Sequence, residues 1–136
     1  MPHYRTDLRQ RALEALQGSD LFSDHTCVQS FPKSIDHNQL PVIAVATPRE
    51  RRVRDGLDTQ DAVIDLIVVL KRKGGVALPD ELDDAGDALE DLLLSAIGGP
   101  GLLTTTEVST DVDGQGDTCV GTLVITFEAS VGLNLT

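Results

Sequence analysis

Thr59-Gln-Asp-Ala-Val-Ile-Asp-Leu-Ile-Val-Val-Leu70 is the stretch that decides how this chain folds. Ala62, Ile64, Leu66, Val68 and Leu70 share one parity, while Val63, Asp65, Ile67 and Val69 share the other. Alternation of this length, dense in Val and Ile, predicts a strand rather than a short buried helix. Upstream, Pro41–Thr47 reads as a second strand, with Val42, Ala44 and Ala46 on one face and Ile43 and Val45 on the other. A proline fits its first position, and apolar residues on both faces call for contact on two sides, from helices or from another subunit. Between these strands Pro48–Asp58 breaks the periodicity and carries Arg49, Arg51, Arg52 and Arg54, in a long hairpin loop or at extended strand ends.

Further out, Tyr4–Leu16 places Leu8, Ala12, Ala15 and Leu16 at helical spacing, with Leu13 widening the stripe and Gly18-Ser19 as a stop. Thr26–Phe31 is a candidate short strand and Pro32–Gln39 a loop. Downstream, Lys71–Gly75 reads as a turn and Asp80–Ile97 as a helix with Asp80 as its cap. Glu81, Asp83 and Asp84 set negative charge at the positive end of that helix, and Gly98-Gly99-Pro100 ends it. Two more strands are expected at Thr104–Val112 and Thr118–Ala129, joined by Asp113-Gly-Gln-Gly-Asp117, with Gly132–Thr136 as a loose tail. These elements predict one α+β domain over residues 1–136: a mostly antiparallel or mixed sheet of four to five strands with two helices packed on it.

The chain has 136 residues, 40% hydrophobic and 24% charged, enough for a modest core. Three Phe, one Tyr and no Trp leave little for aromatic platforms, which counts against stacking of sugars or single-stranded nucleic acid. Two Cys and no recognisable leader point to a reducing compartment without a disulfide framework. No apolar run reaches the roughly 18 residues of a membrane span. All eleven Lys and Arg lie between Arg5 and Lys73, so residues 1–73 are near +1, whereas residues 74–136 hold twelve acids and no base. A field of that sign repels DNA phosphate and attracts basic surfaces.

Candidate chemistry is sparse. His25 and Cys27, with Cys119 or Asp24, would be the elements of a metal site, but a second close ligand pair and CxxC spacing are lacking. Asp111, Asp113 and Gly116 match positions one, three and six of a helix–loop–helix calcium loop, yet position five is Gln115 and position twelve Thr122, where a bidentate Glu is required. No glycine pattern forms a phosphate loop, and neither cysteine sits in a nucleophile motif with His25 or His37. No enzyme activity and no cofactor are expected. The four arginines fit a solvated loop, a subunit contact or, less well, phosphate, since Glu50 and Asp55 dilute the patch and no recognition helix carries it.

The whole chain resembles the tail terminator proteins of long-tailed bacteriophages, the lambda-like minor tail protein U family. The likeness runs through the leading helix Leu8-Arg-Gln-Arg-Ala-Leu-Glu-Ala-Leu16 and the proline-led strand Leu40-Pro-Val-Ile-Ala-Val45. It continues through a charged loop and the strand Asp61–Leu70, then the acidic helix opening Pro79-Asp-Glu-Leu-Asp83 and the final strand ending Leu123-Val-Ile-Thr-Phe-Glu128. Tail-completion and head–tail connector proteins are similar in size and element order. The resemblance implies a structural virion protein without enzymatic activity, assembled in the bacterial cytoplasm. It would form a ring, generally a hexamer, that caps the tail tube, stops its polymerisation and receives the head connector. Implied partners are further copies of the chain, the tail-tube protein and the connector, with DNA passing through the channel without specific binding and no membrane. Two regions are the expected interfaces: Arg49, Arg51, Arg52 and Arg54 toward the tube or a neighbouring subunit, and Asp80, Glu81, Asp83, Asp84, Asp87 and Asp91 toward a neighbour or the connector.

Overall fold

A computed structural model describes residues 4–28, 41–54, 59–97, 103–114 and 119–134. Helix α1 (Tyr4–Gln17) and a short 3₁₀ turn (Asp20–Phe22) precede strands β1 (Thr26–Val28), β2 (Val42–Arg54) and β3 (Thr59–Gly74). Helix α2 (Leu78–Ile97) and strands β4 (Leu103–Asp113) and β5 (Cys119–Asn134) follow. The strands form one sheet in the order β1-β2-β3-β5-β4, with β1 parallel to β2 and the other pairs antiparallel. The α+β architecture read from the sequence, a mixed sheet with two packed helices, is the one observed.

Parity places the core. Ile64, Leu66, Val68 and Leu70 of β3 lie opposite Ala129, Phe127, Ile125 and Leu123 of β5, and all eight are buried. Ile43 and Val45 of β2 continue this layer against Leu70 and Val68. Both helices cover this face of the sheet: Leu8, Ala12, Leu13 and Leu16 from α1, and Leu78, Leu82, Leu89 and Leu93 from α2. Each fully buried leucine contributes roughly 2–3 kcal/mol by removal from water. Gly74 and Gly121 let α2 come this close. A β-carbon at Gly121 would stand 2.8 Å from Leu82 Cδ1, and one at Gly74 2.8 Å from Leu78 Cδ1. On the opposite, open face Val63, Ile67, Val69, Val120 and Val124 are only half-buried.

Several boundaries differ from the sequence reading. Pro48–Arg54 is not a break but the second half of β2. A bulge between Ala46 and Arg49 sets Thr47 and Pro48 against Leu66 alone, and pairing then resumes from Arg49↔Asp65 to Arg54↔Gln60. The bulge changes side-chain parity, which is why the alternation looked broken. Lys71–Gly74 is strand rather than turn, paired with Thr122–Cys119. Helix α2 begins at Leu78, so Asp80 lies inside its first turn; Ala77 O accepts the first helical bond, from Glu81 N at 3.0 Å. Pro79 fits there because a first-turn N–H has no helical partner. Gly132–Asn134, placed in a loose tail by the sequence, pairs with Asp61–Thr59. The expected loop Pro32–Gln39, the helix stop Gly98–Pro100, Phe31, Asp55, Gln115–Asp117 and the last two residues lie outside the described residues.

Strand β4 has its own bulge, between Thr105 and Glu107, and Thr106 Oγ1 donates to Thr126 O at 3.1 Å beside it. Both bulges fall at the level of the Leu66–Phe127 pair. The two bulges therefore flank an unbroken β3–β5 pairing at one level of the sheet.

Candidate functional site

The β2 bulge sorts the arginine cluster onto two faces. Arg52 and Arg54, with Glu50, point to the helix side, opposite Ala62, Gln60 and Ile64; Arg49 and Arg51 point to the open side, opposite Asp65 and Val63. On the helix side a polar cluster forms around Glu50. Tyr4 from α1 donates its hydroxyl to Glu50 Oε2, Arg52 Nε donates to the same oxygen at 2.5 Å, and Arg5 Nε lies 3.2 Å from Oε1. Arg52 Nη2 also donates to the Tyr4 hydroxyl at 2.9 Å, and Arg9 Nη1 to Thr47 Oγ1 at 2.5 Å. The Tyr4 hydrogen bond, then Arg52 and Arg5, hold the Glu50 carboxyl below its ordinary range. Burial and then Glu50 push the Tyr4 hydroxyl up. This arrangement fastens α1 to the outer half of β2; it is a latch between elements rather than a reactive centre.

On the open side Arg51 Nη2 donates to Glu128 Oε1 at 2.8 Å, and Arg49 Nε stands 4.0 Å from Asp65 Oδ2. Both arginines keep much of their surface, the Arg49 side chain being 65% exposed. Such exposed pairs hold weakly and can exchange for an incoming carboxylate. Asp80, Glu81, Asp83, Asp84, Asp87 and Asp91 are all exposed on α2, opposite its leucine stripe. The structure keeps the two expected interfaces on separate elements and joins them by no contact it describes.

A third feature joins His25 and Asp24, metal-site candidates of the sequence, to Arg72, which the sequence did not connect with them. A surface cleft of about 280 Å³ is lined by Asp24, His25, Pro41, Arg72, Lys73 and Glu81. Arg72 Nη2 lies 3.0 Å from His25 Nε2, and His25 Nδ1 2.8 Å from Asp24 Oδ1. Arginine can only donate, so Nε2 is the acceptor and Nδ1 carries the proton toward Asp24: a neutral imidazole. Its side chain is 2% exposed and packs edge-on against Phe22. Burial lowers the His25 pKa, Arg72 lowers it further and Asp24 opposes both. With both ring nitrogens engaged, His25 is not poised to pair with Cys27 on a metal. Among the described residues no cluster of three His, Cys, Asp or Glu could hold a metal ion. Burial raises the Cys27 thiol pKa, which lowers its thiolate fraction and hence its reactivity.

Tyr4, Glu50 and Arg72 are among the members of these sites that sequence reasoning missed, as are Arg5, Asp65 and Glu128. Their only signal was a lone acid among arginines and a tyrosine at a helix start. Among the described residues no helix is long and apolar enough to cross a membrane. No protein-family model matches the chain, and no curated protein matches its sequence.

Proposed function

We propose that this chain is a structural virion protein that forms a ring, a hexamer by its resemblance to tail terminators, and caps the phage tail tube. The observation that carries the reading is the sheet face on which no described helix packs, where β3 and β5 carry half-buried valines while Val42 and Ala44 of β2 are buried. Helices bury one side of β3 and β5, while the other presents Val63, Ile67, Val69, Val120 and Val124 half-buried in a broad surface with no described element over it. A surface of that breadth and composition suits partner subunits better than a small ligand. The acidic second half of the chain supports a channel that passes DNA without holding it. In this reading the tail-tube protein and the head connector bind opposite ends of the ring, with the α2 acids available to one of them. A connector protein of the same junction is the second reading, favoured by the same element order.

The test is absolute mass in solution, followed by imaging with purified tail tubes. A species near 87 kDa, six copies of 14.5 kDa, that sits on tube ends and arrests their growth is the expected result. Binding to portal-side rings in place of tubes would favour the connector. A monomer that tube ends fail to recruit would overturn both readings.

A further inference from the structure

We infer that neighbouring copies join edge to edge, the outer half of β2 in one copy pairing antiparallel with β4 of the next; the inference rests on the ring reading above and names its interface. The sheet has two open flanks among the described residues. β1 covers β2 only from Val42 to Ala44, so Arg49–Arg54 has a strand on one side alone, and β4 is the last strand on the other flank. Both runs begin just beyond a bulge and then keep regular register with their inner neighbour. Their residues stand in solvent on both parities, apart from the half-buried Glu50. Exposed valines interrupt each run: Val53 on β2, Val108 and Val112 on β4, at 52%, 49% and 39% exposure.

The charges decide the partner. Four arginines and one glutamate leave Arg49–Arg54 at +3, while Glu107, Asp111 and Asp113 with no base leave β4 at −3. Charges placed only to guard open edges against aggregation would serve best with one sign on both flanks, because copies would then repel. Opposite signs make each flank the complement of the other on a second copy, a heterologous contact that closes by rotation. Strand direction and facing agree. β2 and β4 run in opposite directions within the sheet, so copies set side by side pair them antiparallel. Arg49 and Arg51 lie on the open face, as do Glu107, Asp111 and Asp113, so a continuous sheet brings the two sets to the same side.

The two runs also sit on opposite sides of the level at which the bulges fall. In β3 register, Arg49–Arg54 is level with Asp65–Gln60 and Glu107–Asp113 with Ile67–Lys73. Matching them demands an offset of about seven residues, roughly 25 Å at the rise of a strand. Successive copies are therefore staggered and the strands tilted to the ring axis, as closure of a sheet requires.

The experiment uses two double variants of the full chain, R49E/R51E and E107R/D111R, with the wild type as reference, in mass measurements from low to moderate salt. Each variant alone is expected at 14.5 kDa. In an equimolar mixture every contact between the two variants pairs opposite charges, native at one flank and exchanged at the other, so the mixture recovers the wild-type mass. That recovery also shows that both variants are folded. The quadruple variant, with the charges exchanged, recovers the wild-type mass. Variants that assemble like the wild type, or a mixture that remains monomeric, would overturn the edge assignment and leave the ring standing. A wild type that remains at 14.5 kDa throughout overturns edge pairing, and recruitment to tube ends then decides the ring reading separately.

Discussion

Helix α2 reaches the sheet through Leu78, Leu82, Leu89 and Leu93, none with exposed surface, whereas α1 adds to a thinner apolar stripe the polar cluster centred on Glu50. Apolar burial is strong and undirected, so it holds α2 down whatever the pH. Hydrogen bonds and ion pairs are weaker in net terms but directional, and they fix where the start of α1 sits on β2. One helix supplies stability; the other positions the arginine-bearing half of the hairpin.

Leu89→Ala is the largest expected perturbation, a loss of about 2–5 kcal/mol read from denaturant unfolding, because a fully buried leucine leaves a cavity. A loss no larger than that of an α1 latch variant would break the comparison. Gly121→Ala comes next. Its methyl would meet Leu82 and Leu78 inside normal contact distance, and overpacking of this kind costs about 1–3 kcal/mol. An unchanged midpoint would mean that α2 can lift from β5 without penalty.

Glu50→Gln is expected to cost less, on the order of 1 kcal/mol, and to act locally. Amide exchange should quicken in α1 and in the outer half of β2 while α2 stays protected; equal acceleration in both helices would remove the distinction. Because the Glu50 pKa is lower folded than unfolded, its contribution is complete above the ordinary carboxylate value of 4.5 and fades as pH falls through the depressed one. The wild type should therefore lose α1 protection in acid, and the Gln variant should lack that step. The smallest effect concerns His25. Its folded pKa lies below 6.5, so the unfolded chain binds the extra proton and stability declines as pH drops past 6.5. Melting temperatures of His25→Gln should be flatter than wild type between pH 7 and 5.5, and parallel curves would rule out a titrating role.

Sequence periodicity made the core legible, since β3 from Ala62 to Leu70 and β5 from Leu123 to Ala129 carry an apolar residue at every second position. It misled wherever the geometry departs from that period. The Thr47-Pro48 bulge made seven residues of strand look like a loop, and Lys71–Gly74 looked like a turn because charge and glycine obscured its pairing. The candidate interfaces were legible as charge runs, but their partition was not. That Arg52 faces Tyr4 while Arg51 faces Glu128 follows from register and bulge position, which no local composition encodes. The His25–Arg72 contact joins residues 47 positions apart, one in the turn before β1 and one in β3, and left no local trace.

The bulge in β2 also governs which changes in length this hairpin can absorb. Deleting Thr47 or Pro48 with the outer pairing kept in step would remove the bulge and leave every outer side chain on its face, whereas a slip of that pairing by one place, Glu50 moving opposite Asp65, would turn the remainder of the strand over. Glu50 would swing to the open face and Arg49 and Arg51 toward the start of α1, with every residue of the latch present and none in place. Substitutions along Arg49–Arg54 adjust a surface, while a one-place slip at the bulge exchanges one surface for the other.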